Sequence, residues 1–169
     1  TLVAFVGKMR YGHAQSFTLR ERLVRALNAS FAGKPHALRA HRGERWREVA
    51  RAARFVLAPR GNGRTSYHVV EALALHGAVP VYVYDDVPWL PYAESDGASS
   101  LNCSWVVAHR FASGGDDAAS GRELASTLES LDDDAVERMR TCAKAHATTH
   151  FGKSGVIGES ASLLSGGER

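Results

Sequence analysis

Three short stretches carry residue types that could hold or transfer an anionic group: Gly7-Lys8, Arg60-Gly61-Asn62-Gly63-Arg64-Thr65-Ser66 and Asp85-Asp86. In the second, glycines let a ligand approach the backbone, the first amides of a following helix offer free donors, and two arginines add charge. That combination suits a diphosphate. Glu71, one turn further on, is placed to accept from a ribose diol, although an exposed helix glutamate is the plainer reading. For the glycines the plainer reading is a strand-to-helix turn, but arginine on both sides of them favours an anion.

Two chemistries use such a loop. A nicotinamide oxidoreductase would read Gly61-x-Gly63-x-x-Ser66 as a dinucleotide fingerprint with Asp85 or Asp86 on the ribose, yet the third glycine is absent. A sugar-nucleotide transferase needs cationic and dipolar stabilisation of a departing diphosphate, which the arginine-rich loop supplies better. No G-x-x-x-x-G-K-[ST] is present, which excludes phosphate-loop NTPases. Cys142, His146 and His150 recur every fourth residue and could line one helix face as metal ligands, but no fourth ligand of suitable spacing follows, so the reading is no metal. Cys103 and Cys142 fit either a disulfide or two reduced core residues. The sequons Asn28-Ala29-Ser30 and Asn102-Cys103-Ser104 suit a secretory compartment.

The elements that must position these residues alternate in type. Leu2–Val6, Arg54–Ala58 and Val79–Tyr84 are short apolar runs bounded by turn residues, as in strands buried on both faces of a parallel sheet. A short, poorly marked strand is expected near Ala37–Ala40, and a further strand over Trp105–Ala108. Helices are expected from Ser16 as N-cap to the stop at Gly33-Lys34-Pro35, over Gly43–Ala53, from Thr65 or Ser66 to Gly77, over Ala118–Leu131, over Asp133–Ala147 and near Gly158–Leu164. Strands alternating with helices give an α/β fold with a mainly parallel, three-layer sheet. Ligands of such sheets bind beyond the carboxyl ends of the strands, where all three chemical stretches fall.

The 169 residues fit one domain with a sizeable core, and 44% hydrophobic with 23% charged residues excludes a disordered or fibrous chain. No run approaches the roughly 20 apolar residues of a membrane span. The chain opens inside an apolar run, so it is expected to be a piece of something longer. The net charge of +3 is unevenly spread: residues 1–64 hold 14 Lys and Arg against 3 Asp and Glu, whereas residues 65–169 hold 7 against 15. The basic half suggests an anionic ligand, although Arg22, Arg25, Arg45, Arg47 and Arg51 fall where solvated helix faces would also carry them. No nucleic-acid motif accompanies the arginines, so no nucleic-acid partner is expected.

The stretch Trp46-Arg47-Glu48, Arg54-Phe55-Val56-Leu57-Ala58-Pro59-Arg60-Gly61, Ser66-Tyr67-His68-Val69-Val70-Glu71-Ala72-Leu73, Gly77-Ala78-Val79-Pro80-Val81 and Leu90-Pro91-Tyr92 resembles the C-terminal half of the exostosin family of glycosyltransferases, family 47. Phe5-Val6-Gly7, Arg20-x-x-Leu23 and Met139-Arg140 extend the resemblance over nearly the whole chain. It implies the donor-binding, Rossmann-like C-terminal half of a GT-B enzyme, an inverting glycosyltransferase that uses a nucleotide sugar as substrate, a UDP-sugar by expectation, with no cofactor and no metal. Gly7, Arg20, Arg60, Gly61, Ser66 and Glu71 would face the donor, with Lys8 or Arg64 adding charge. The acceptor glycan and the catalytic base would belong to an N-terminal half of the same protein, in a Golgi type II membrane protein anchored upstream. Two positions depart from the family pattern: His68 stands where members often have arginine, and Gly63 where many GT-B enzymes have glutamate. A noncatalytic module binding a nucleotide or an anionic glycan is the alternative. Were the base inside this chain, His13, His68 or Asp85 would be the candidates.

Overall fold

The structure, a computed structural model, describes residues 1–7, 16–35, 37–41, 43, 45–61, 64, 66–73, 78–90, 104 and 106–151, with residues 16–18 and 41 described in their backbone alone. Five strands form one all-parallel sheet: β1 (Val3–Val6), β2 (Leu38–His41), β3 (Phe55–Pro59), β4 (Val79–Tyr84) and β5 (Val107–Arg110), in the order β2-β1-β3-β4-β5. Helices α1 (Ser16–Ser30), α2 (Trp46–Arg51), α3 (Tyr67–Glu71), α4 (Asp117–Ser130) and α5 (Asp133–His146) flank it, and a π-helical turn over Ala147–Phe151 continues α5. This is the expected α/β, three-layer Rossmann-like fold.

The pleat divides the side chains between two layers. Val3 and Phe5 of β1, Phe55 and Leu57 of β3, and Val79, Val81 and Val83 of β4 share one face. They pack against Leu19, Leu23, Val24 and Leu27 of α1 and against Leu124 and Leu128 of α4. The opposite face shows Ala4, Val6 and Val56, which pack with Val49, Ala50, Ala53 and Ala72, and Ala58 and Tyr82, which pack with Val69 and Leu73. Parallel strands covered on both sides have no polar face, which is why they read as unbroken apolar runs.

Helix α5 crosses from one layer to the other. Its Val136 and Met139 join the α1/α4 core, whereas Ala143 packs with Ala58, Leu73 and Tyr82. Two arginines hold it under the amino ends of the strands: Arg54 donates to the Leu131 carbonyl (2.9 Å) and Arg140 to that of Ala53 (3.1 Å). On the outer side, Arg22 of α1 binds Asp117 and the Ala112 carbonyl (3.0 Å) and lies over the Phe111 ring. That contact ties α1 to the turn before α4.

Several boundaries differ from expectation. Ser16 is the first residue of α1 and not its flanking cap. Helix α2 is six residues, since Gly43 has φ +151° and Ala52 closes the helix with a tight turn to Ala50 and Glu48. Strand β5 lies two residues later than expected. Asp116 and Asp132 cap α4 and α5 through their carboxylates, whereas Ser66, at the N-cap of α3, makes no side-chain capping bond. The expected helix near 158–164 and the stretch 74–77 lie outside the described residues.

Candidate functional site

The strand order places a topological switch between β1 and β3. From β1 the chain moves outward to β2, then returns past β1 to β3 and continues the other way to β4 and β5. Loops leaving β1 and β3 therefore diverge, and the crevice between their carboxyl ends is where open α/β sheets hold ligands. Gly7 leaves β1, Arg60 and Gly61 leave β3, and Asp85 and Asp86 leave β4.

One group of residues gathers at Gly7, whose φ of +148° favours glycine. A β-carbon there would lie 3.1 Å from Nε2 and 3.2 Å from Cε1 of His68 on α3, so the imidazole sits directly on the glycine. Phe5 meets the ring edge to face, with centroids 6.1 Å apart. One turn along α3, Glu71 Oε2 lies 2.9 Å from His68 Nδ1. Burial pushes the His68 pKa down, the bond and charge of Glu71 oppose this, and Arg20 of α1 adds to the lowering. The ring is therefore neutral at pH 7. A carboxylate only accepts, so the proton of that neutral ring sits on Nδ1 and Nε2 carries a lone pair. Arg20 is itself buried, with 7% of its surface exposed. The Ser66 hydroxyl is buried with no hydrogen-bond partner among the described residues.

The second group spans the ends of β3 and β4. Arg60 Nε lies 2.5 Å from Asp85 Oδ1 and its Nη1 3.7 Å from Asp86, while Arg64 Nε is 3.6 Å from Asp86. Ser113 donates to Asp85 (3.2 Å). The Asp86 pKa lies below the usual carboxylate range, chiefly because its carboxylate accepts from the Val87 amide, with Arg60 and Arg64 contributing. Behind them Tyr82, fully buried, donates to the Arg64 carbonyl (2.5 Å) and accepts from the Trp89 amide (3.2 Å).

Of the residues expected to face a donor, Gly7 and Glu71 are joined through His68, which also feels the charge of Arg20. Arg60 and Arg64 form a separate cluster with two carboxylates, next to Gly61. Lys8 lies outside the described residues. Glu71 gives Oε2 to His68, so a ribose would be served by Oε1. The His68–Glu71 pair was not read from the sequence, though its i, i+3 spacing was the available signal. The Arg60–Asp85 pair had none, because it requires knowing that β3 and β4 are neighbours. Cys142 is disulfide-bonded, so its sulfur is no thiolate ligand, and His146 meets His150 with ring centroids 4.5 Å apart and planes tilted by 49°. Among the described residues no group of three His, Cys, Asp or Glu could hold a metal ion, and no helix is long and apolar enough to cross a membrane. Comparison of the sequence with models of protein families and with curated proteins finds no match.

Proposed function

We propose that this chain is the donor-binding half of an inverting GT-B glycosyltransferase that binds a nucleoside-diphosphate sugar, a UDP-sugar, and passes the sugar to a glycan. The observation that carries the reading is the crevice between β1 and β3, where Gly7 opens the backbone beside the buried Arg20 and the partly exposed His68 and Glu71, with Arg60 and Arg64 one strand further on. The resemblance of Phe55-Val56-Leu57-Ala58-Pro59-Arg60-Gly61 and Ser66-to-Glu71 to exostosin sequences supports the same assignment. An acceptor hydroxyl attacks the anomeric carbon from the face opposite the leaving group, and the bond from that carbon to the diphosphate oxygen breaks. The departing diphosphate gains negative charge, and on this reading Arg20, Arg60, Arg64 and the Ser66 hydroxyl stabilise it. The base that takes the hydroxyl proton, and the acceptor site, belong to an N-terminal half of the same protein. The disulfide at Cys142 supports a Golgi-lumen setting, since disulfides persist in oxidising compartments.

The test is a melting series with UDP, other nucleoside diphosphates and UDP-sugars. A ligand at 100 times its dissociation constant adds about 2.7 kcal/mol to stability. No shift with any of them overturns the reading. Binding without transfer by a chain that includes the N-terminal half would favour the noncatalytic module.

A further inference from the structure

We propose that His68 is itself a diphosphate-binding residue, and that the site takes up a proton at His68 Nε2 when a nucleoside diphosphate enters the crevice between β1 and β3. The inference rests on the nucleotide-binding reading above and adds to it a residue and a coupled proton. Glu71 fixes the ring through Nδ1 at 2.9 Å and leaves Nε2 against Gly7, which contributes no side chain there. The His68 side chain keeps 19% of its surface exposed, so a ligand atom can reach it. In the free site Nε2 holds a lone pair, and phosphate oxygens also offer only lone pairs. Contact between them therefore requires a proton on Nε2.

Among the described residues, the titratable and charged groups that face His68 are Glu71 from its own helix and Arg20 from α1, and β1 contributes Phe5 and Gly7. Without ligand, burial and Arg20 outweigh Glu71 and keep the ring neutral. A bound diphosphate reverses the balance. It offsets Arg20 and places a second anion on the imidazole, so that the imidazolium lies between the Glu71 carboxylate and a phosphate oxygen. One proton comes from solvent, one N–H forms at Nε2, and no other bond changes.

The experiment is calorimetric titration of the 169-residue chain with UDP at pH 7.5 in two buffers of different ionisation enthalpy, repeated from pH 7 to 8.5. About one proton should be taken up per UDP bound, and the dissociation constant should rise close to tenfold per pH unit. His68→Gln should remove the uptake and flatten the pH dependence. His68→Lys, with its fixed charge, should bind UDP without uptake, which separates loss of the proton from loss of the fold. UDP binding with no uptake, or uptake that survives in His68→Gln, overturns the proposal and leaves the nucleotide reading standing. No UDP binding at all overturns both.

Discussion

Gly121 of α4 lies so close to Ala26 of α1 that a β-carbon on the glycine would come within 2.7 Å of the Ala26 β-carbon and 3.0 Å of its carbonyl carbon. The two helices cover one face of the sheet as one layer, and this contact sets their separation. Alanine is the better helix former by roughly 1 kcal/mol, yet here it would push α4 off α1. Gly121→Ala should therefore destabilise the chain by about 1–3 kcal/mol, the range for overpacking, in urea unfolding. A stabilised variant would show that the helices separate freely.

Gly7→Ala acts at the site. The substitution strains a φ of +148° and meets His68 Nε2 at 3.1 Å, so it should lower stability by about 1–3 kcal/mol and weaken UDP binding together. Calorimetry and thermal melts on one preparation check both effects. Binding unchanged in a strained but folded variant would move the ligand away from β1.

Arg60→Ala should weaken UDP binding by about 1.5–3 kcal/mol, the range for a hydrogen bond to a charged group. In the free chain Arg60 is held by Asp85, so the guanidinium is already oriented at the end of β3. An unchanged dissociation constant would restrict Arg60 to its ion pair.

Acid should destabilise the fold in two stages. Burial holds the imidazoles of His68 and His109 below their ordinary pKa, so the unfolded chain binds these protons first. Their contribution is complete above about pH 6.5 and declines as pH falls from there to the folded-state values. Asp117 is held below 3.8 mainly by its hydrogen bonds from Arg22; its contribution is present above that pH and is lost as pH falls through the folded value. Melting temperatures measured from pH 8 to pH 2 should show both descents, and His68→Gln with His109→Gln should remove the first. A flat profile between pH 7 and 5 in the unsubstituted chain contradicts this.

The fold was legible where burial is two-sided. Val3–Val6 and Val79–Tyr84 stand out because every residue must be apolar, and α4 and α5 end near their expected limits because proline-free stretches follow capping aspartates. Strand β5 was displaced because its exposure alternates: buried His109 sits between exposed Ala108 and Arg110, and no apolar run marks it. At the site, Gly7 and Arg60 were found as the ends of apolar runs. Their partners were not, since Glu71 with His68 is an ordinary helix spacing and Arg60 with Asp85 depends on strand order. The charge asymmetry overstated the free cation, because Asp85, Asp86 and Asp117 from the acidic half reach back to Arg60, Arg64 and Arg22.

The Tyr82 hydroxyl joins two segments that leave neighbouring strands, one at the Arg64 carbonyl and one at the Trp89 amide. Because the bridge starts from a fully buried ring, displacement of one segment is transmitted to the other. The Trp89 indole is about half exposed, with 47% of its surface in solvent. Its emission should thus change in wavelength or intensity when a ligand draws Arg60 or Arg64 toward itself. Removing the hydroxyl in Tyr82→Phe should silence that change while the β4 core stays filled. The chain in this way carries an intrinsic optical reporter beside its own crevice, and occupancy can be followed without attaching a dye.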